Sequence, residues 1–132
     1  MQNMAPINHD LILKSEVALR TFFNITNLWA LTPEQQKTLL GIQDCNAVVS
    51  QYDSKLIEPL DAETMLRISY VLGIYKRLNT LLPIPSHADS WLKKPNSEKL
   101  FKGNSALNFL VEDPMNRLPL LLAYLRTEAV DF

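Results

Sequence analysis

Glycine and cysteine are scarce in this sequence, which has 3 glycines and 1 cysteine among its 132 residues. The lone thiol, Cys45, cannot form an internal disulfide framework and fits a reducing compartment. The 8 prolines stand mainly between apolar runs, where a residue without an amide hydrogen begins or ends a helix. These features favour helices joined by short connections.

A strong excess of one charge is also missing, since the net charge is -1 and the pI is about 6.1. Bulk charge therefore gives no reason to bind nucleic acid or a membrane, and any DNA contact would depend on a local patch. No stretch approaches the roughly 18 apolar residues that span a bilayer. The opening residues, Met-Gln-Asn-Met-Ala-Pro, lack the basic start and apolar run of a signal peptide. We expect a cytoplasmic protein without a membrane segment.

Motifs for catalysis and cofactor binding are missing as well. The sequence has no GxGxxG, no P-loop and no CxxC. His9 and His87 lie far apart, and neither belongs to a group with the spacing of metal ligands. Acidic residues cluster where helices are expected to start or turn, and there they interact favourably with the helix dipole. We expect no enzymatic activity, no cofactor and no metal.

Apolar residues, by contrast, make up 47% of the chain and recur at helical spacing. The first predicted helix covers about residues 11–29 with Asp10 as its N-cap. The longest covers about residues 62–82 behind the N-cap Asp61, and its two apolar sides predict that it joins the N-terminal helices to the C-terminal region. No run alternates convincingly between apolar and polar residues, so the predicted fold class is all-α.

A further helix is marked by Thr32 as N-cap, Pro33 at the first helical position and Gln35 completing a capping box. Gly41 is predicted to end it in the left-handed conformation, and another short helix should follow Asp44. Two short helices joined at a glycine are typical of a helix-turn-helix. The side chains that would then contact DNA are Asn46, Ser50, Gln51 and Lys55. A helical hairpin that serves only as scaffold is the equal alternative.

The most informative stretch runs from residue 89 to residue 110. A short helix with Ser86 as its cap is predicted to end at Trp91 and Leu92, because Pro95 and Asn96 stop it. The loop that follows has apolar weight in its middle and so packs against something.

Leu100 and Phe101 are the predicted anchors of this loop, together with Trp91 before it. Gly103-Asn104 suits a turn with positive φ. Ser105 then has the position of an N-cap for a new apolar helix.

The order Trp-Leu, Pro-Asn, Leu-Phe-x-Gly, Ser-x-Leu resembles the C-terminal toxin-binding domain of Xre/MbcA/ParS-type antitoxins, over roughly residues 86–130. Leu-Thr-x-Glu-Gln followed by Leu-Leu-Gly-Ile is similar to the Xre-like N-terminal part of the same family. The resemblance implies an N-terminal helix-turn-helix domain over residues 1–82, which includes the long connecting helix. It implies a small toxin-binding domain over residues 83–132.

The function that the resemblance implies is that of an antitoxin in a type II toxin-antitoxin system. It would neutralise a cognate toxin by direct contact, usually a RES-domain toxin that consumes NAD, and would regulate its own operon by binding promoter DNA. A homodimer or a toxin-antitoxin hetero-oligomer is expected. The residues implied in toxin binding are Trp91, Asn96, Phe101, Gly103, Leu121, Leu125, Arg126 and Phe132.

The last predicted helix begins near Leu118, with Pro119 in its first turn. Its leucines outnumber those that one buried face needs, which predicts an exposed apolar patch for a partner. We expect residues 118–132 to lie against the toxin and obstruct its active-site entrance, although the leucines could instead complete the core. Two other functions stay open, a stand-alone helix-turn-helix regulator with a dimerising C-terminal region and a helical adaptor.

Overall fold

The computed structural model describes residues 5–42 and 58–127. Over these residues the chain forms helices and no strands, which confirms the all-α prediction. The helices are α1 (Ala5–Leu28), α2 (Pro33–Leu40), α3 (Ala62–Leu81), α4 (Pro85–Trp91), α5 (Ala106–Glu112) and α6 (Pro114–Thr127). None of the described helices is long and apolar enough to cross a membrane.

Helix α1 starts earlier than predicted, at Ala5 rather than near Leu11. The predicted N-cap, Asp10, lies inside the helix and forms an ion pair with Lys14 one turn later at 3.2 Å. With 24 residues α1 is also longer than α3, which has 20, so the prediction that α3 is the longest helix was wrong. A carboxylate four residues before a lysine supports a helix interior as well as a helix start, and the sequence pattern did not separate the two.

The predicted start and end of α2 are confirmed. The Thr32 hydroxyl accepts from the amide of Gln35 at 3.2 Å, and the Gln35 side chain accepts from the amide of Thr32 at 2.9 Å. Gly41 ends the helix with a φ of 78°. The short helix predicted after Asp44 lies outside the described residues, so the helix-turn-helix stays a prediction.

Helix α3 packs against both α1 and α6, as its two apolar sides predicted. Its predicted cap is confirmed, since the Asp61 carboxylate accepts from the amide of Thr64 at 2.8 Å. At Gly73 a Cβ atom would lie 3.0 Å from a methyl group of Leu122, so the missing side chain permits close packing with α6. Arg77 Nε donates to the carbonyl of Leu125 at 2.8 Å and fixes the far end of α6.

The buried side chains form one cluster that extends from Leu19 in α1 to Leu125 in α6. It therefore includes residues from both sides of the boundary predicted between residues 82 and 83. No gap in the described core marks that boundary, and the division into two domains stays a prediction.

Two helix starts in the C-terminal half differ from the predicted ones. Ser86 is not the cap of α4, because Pro85 occupies the first helical position and Ile84 precedes it without a side-chain cap. Helix α6 begins at Pro114 and contains Pro119, instead of beginning near Leu118. Its buried leucines offset the hydrogen bond that Pro119 cannot make, since tertiary packing outweighs local propensity in most helices.

Candidate partner-binding surface

The loop between α4 and α5, residues 93–104, is closed on itself by backbone hydrogen bonds. The amide of Asn96 donates to the carbonyl of Asn104 at 3.1 Å, and the amide of Gly103 donates to the carbonyl of Asn96 at 3.0 Å. The Asn96 side chain accepts from the amide of Glu98 at 2.9 Å. The backbone of Asn96 thus closes the loop. Its side chain accepts from the amide two residues later, and that bond is why an asparagine suits this position.

The tip of the loop contains two consecutive left-handed residues, Lys102 with a φ of 53° and Gly103 with a φ of 85°. The prediction of a positive φ at Gly103 is confirmed, whereas its partner in the turn is Lys102 rather than Asn104. A Cβ atom at Gly103 would meet nothing within 4 Å, so the backbone angle and not the space favours glycine there.

Phe101 anchors the loop from below, and only 2% of it is exposed. Its ring makes edge-to-face contacts with three rings from three helices. The centroid distances are 5.9 Å to Trp91, 5.6 Å to Phe109 and 5.4 Å to Tyr124. The predicted anchoring by Trp91 and Phe101 is confirmed, because both are buried and in contact.

Several residues implied in toxin binding lie inside this chain rather than on its surface. Trp91, Phe101, Leu121 and Leu125 are buried core residues, so they support the surface from within instead of offering their side chains to a partner. Asn96 is half-buried, while Gly103 and Arg126 are exposed. Phe132 lies outside the described residues.

The prediction of an exposed apolar patch on α6 was wrong for most of its leucines. The predicted patch residues Leu121, Leu122 and Leu125 are spaced at three and four with Leu118, which places all four on one buried face. Val130, also predicted for the patch, lies outside the described residues. Only Leu120 stands off this spacing, and it is 52% exposed. The spacing in the sequence could have shown that the leucines complete the core.

A pocket of about 230 Å³ opens beside the loop. Its walls combine the loop tip with the end of α5 and the start of α6. The lining residues are Leu100, Phe101, Lys102, Asn104, Phe109, Glu112 and Arg117.

Arg117 is the residue of this pocket that the sequence reasoning missed. Its guanidinium lies 4.7 Å above the centre of the Phe109 ring. Nη1 donates to the Phe109 carbonyl at 3.0 Å and to Glu112 at 2.9 Å. These partners belong to α5 and Arg117 to α6, so the contact crosses the break between the two helices.

Lysines concentrate on the loop. Four of the eight lysines in the chain fall within residues 93–104. Lys93 donates to the carbonyl of Ala30 at 3.0 Å and so ties the loop to the turn between α1 and α2. Among the described residues, no carboxylate pairs with Lys99 or Lys102.

The residues predicted to read DNA, which are Asn46, Ser50, Gln51 and Lys55, all lie outside the described residues. Their arrangement stays a prediction.

Comparison with known proteins gives one informative match. No protein-family model matches the chain, and no solved structure matches it. The chain is 34% identical over 94 residues to the uncharacterized protein y4oB of Sinorhizobium fredii (strain NBRC 101917 / NGR234). The match covers 71% of this chain and 70% of y4oB.

Proposed function

The chain belongs to the same family as y4oB, and we propose that it is an antitoxin of a type II toxin-antitoxin system. It neutralises a cognate toxin by direct binding rather than by catalysis. The Trp-Leu, Pro-Asn and Leu-Phe-x-Gly elements that resemble antitoxins carry the class of function. On the same resemblance, the toxin is a RES-type enzyme that consumes NAD, and both proteins act in the cytoplasm as a hetero-oligomer.

The observation that supports this proposal best is the fixed loop over residues 93–104. Backbone hydrogen bonds close it, and the Phe101 ring holds it on the core. A surface that is ordered before binding loses little conformational entropy when a partner docks, which favours tight association. The resemblance placed toxin binding in residues 83–132, and this loop is an exposed part of that range with a backbone closed by hydrogen bonds.

Neutralisation itself is proposed to depend on the chain after Leu125. Arg126 is exposed at the end of α6, and residues 128–132 follow it. We place this tail, with Phe132 at its end, at the entrance of the toxin active site. The buried leucines of α6 fix the helix that precedes the tail instead of contacting the toxin.

Growth rescue tests the proposal. A RES-like protein, sought among the products of the neighbouring reading frames, is expressed with the full chain or with a chain that lacks residues 126–132. The truncation starts after Leu125, the last buried residue of the part that the structure describes, so the fold should survive while rescue is lost. Circular dichroism of the truncated chain controls for folding.

Two results would contradict the proposal, one for the role of the tail and one for the antitoxin function as a whole. Full rescue by the truncated chain would move the inhibitory surface to the loop over residues 93–104. Failure of the full chain to rescue growth or to bind the RES-like protein would remove the antitoxin function.

A further inference from the structure

The loop over residues 93–104 has a charge opposite to that of the chain around it. Four lysines and one glutamate give it a net charge of +3, whereas the whole chain carries -1. The remaining residues therefore carry -4 together. This separation makes the loop a local basic surface on an otherwise acidic protein, and such a surface attracts acidic partners.

Two lysines of the loop, Lys99 and Lys102, have no carboxylate partner within the described chain. Lys99 and Lys102 are exposed, and no described carboxylate neutralises them. Lys102 keeps a φ of 53°, a conformation that lysine rarely adopts and that the surrounding hydrogen bonds impose. Unneutralised charge on a fixed backbone is suited to binding and contributes little to folding.

The pocket beside the tip supplies the second part of the surface. Lys102 and Arg117 line it together with Glu112, which forms an ion pair with Arg117 at 2.9 Å. The net positive charge of the pocket therefore comes from Lys102. Arg117 Nη1 donates to the Phe109 carbonyl and to the Glu112 carboxylate. The half-buried side chains of Leu100 and Phe109 form an apolar wall beside these cations.

We propose that Lys99, Lys102 and the Arg117 pocket receive an acidic segment of the partner protein, with carboxylates on the cations and an apolar side chain against Leu100 and Phe109. The inference rests on the proposed function, because the partner is the toxin. It adds the chemistry of the toxin surface, which must carry an acidic segment with an apolar residue in or beside it.

A protein fits this surface better than a nucleic acid does. Tight binding to DNA requires several phosphate contacts along a continuous basic track. Here Glu98 and Glu112 interrupt the basic surface, and the pocket wall is apolar. A mixed surface with an apolar centre and a charged rim is typical of protein-protein interfaces.

Charge reversal tests the inference on the full chain. The double variant Lys99→Glu and Lys102→Glu should weaken binding to the RES-like protein about tenfold or more at low salt, and less at high salt because ions screen the repulsion. The matched control reverses Lys37 and Lys76, two exposed lysines on α2 and α3, and changes the net charge equally. The control should bind like the unchanged chain.

A second probe separates this inference from the antitoxin function. Poly-L-glutamate is added to the labelled chain, and amide chemical shifts should move at residues 99–104 and around Arg117. Poly-L-lysine should move none of them. Shifts at the loop support the acidic-segment site even if the RES-like protein does not bind, an outcome that removes only the toxin.

Three results would overturn the inference. One is equal binding of the RES-like protein by the loop variant and the control. Another is the absence of loop shifts with poly-L-glutamate. The third is tighter binding of a random DNA duplex than of poly-L-glutamate, abolished by the same double variant, which would assign the loop to nucleic acid.

Discussion

Two glycine turns in this molecule share a positive φ and have opposite surroundings. Gly41 ends α2 with a φ of 78°, and Gly103 closes the loop tip with a φ of 85°. A Cβ atom on Gly41 would lie 2.6 Å from Cζ of Arg67, whereas one on Gly103 would meet nothing within 4 Å. The first turn is packed into the fold, and the second faces outward on a supported loop.

Arg67 explains why the first turn is closed. Its side chain is 11% exposed, and Nη1 donates to the carbonyls of Thr38 and Leu39 at 3.4 and 3.3 Å. These are carbonyls at the end of α2 that have no partner within the helix. The second turn has no such side chain above it and depends on Phe101 underneath. The glycine at the end of α2 therefore serves the packing of the fold, whereas the glycine at the loop tip leaves the surface above it exposed.

The largest expected effect comes from removing the support of the second turn. Phe101→Ala should lower the free energy of unfolding by about 3–5 kcal/mol, because a fully buried ring and its three edge contacts are lost. Thermal and urea unfolding measure the loss. Leu120→Ala, at a 52% exposed position of similar apolar character, should change stability by less than about 0.5 kcal/mol. An unchanged melting temperature for Phe101→Ala would place the ring on the surface instead.

Alanine at each glycine sharpens the comparison directly. Gly103→Ala should lower the free energy of unfolding by about 1 kcal/mol, because alanine is strained in the left-handed conformation. Gly41→Ala should cost about 2 kcal/mol, because Arg67 must also give up its bonds to the end of α2.

A double-mutant cycle isolates the contribution of Arg67. In an Arg67→Ala chain the cost of Gly41→Ala should fall to that of Gly103→Ala. Equal costs for the two glycines in the unchanged chain would show that Arg67 moves aside freely.

The smallest expected effect is a pH dependence of stability that arises at the cap of α3 and not at the cap of α5. Hydrogen bonds from the Thr64 amide and hydroxyl lower the pKa of Asp61 below its ordinary 3.8, and Arg67 adds to this. The charged cap therefore contributes its full stability above pH 3.8, and the contribution is lost as the pH falls through the lowered pKa. Ser105 caps α5 with a hydroxyl, which does not titrate in this range.

Asp61→Asn keeps a good cap and removes the charge. Because water screens this exposed carboxylate, the substitution should cost at most about 0.5 kcal/mol at neutral pH and progressively less below pH 3.8. Thermal unfolding at pH 7 and pH 3 measures the difference. A gap between the two chains that widens in acid would contradict the sign of the pKa shift.

The parts predicted correctly from sequence depend on neighbours within four residues. The capping box at Thr32, the carboxylate cap at Asp61 and the hydroxyl cap at Ser105 are each satisfied by an amide three residues later. The same local rules failed at Pro119, which suggested a helix start but lies inside α6. There the burial of four leucines outweighed the preference of proline for a helix start. The rule that predicted a helix start considered only that local preference.

For the candidate surface, the sequence predicted the helix end, the buried anchor and the turn, but it did not predict the charged pocket. Trp91, Phe101 and Gly103 were identified because a helix stop, an apolar anchor and a glycine turn follow one another in the chain. The Arg117 pocket was missed because Phe109, Glu112 and Arg117 meet across the break between α5 and α6. The implied contacts at Leu121 and Leu125 proved to be core, which the spacing of the leucines could have indicated.

The sequence by itself determined the helical class, the places where α2, α3 and α5 begin, and the loop that Phe101 anchors on the core. Helical periods and caps are short-range interactions, so the order of residues is sufficient to find them. Only the tertiary structure decided which apolar residues are covered, that Arg77 fixes the end of α6 from 48 residues away and that Lys93 reaches Ala30 across 63 residues. Those contacts depend on how α3 packs between α1 and α6, and no local pattern contains that geometry.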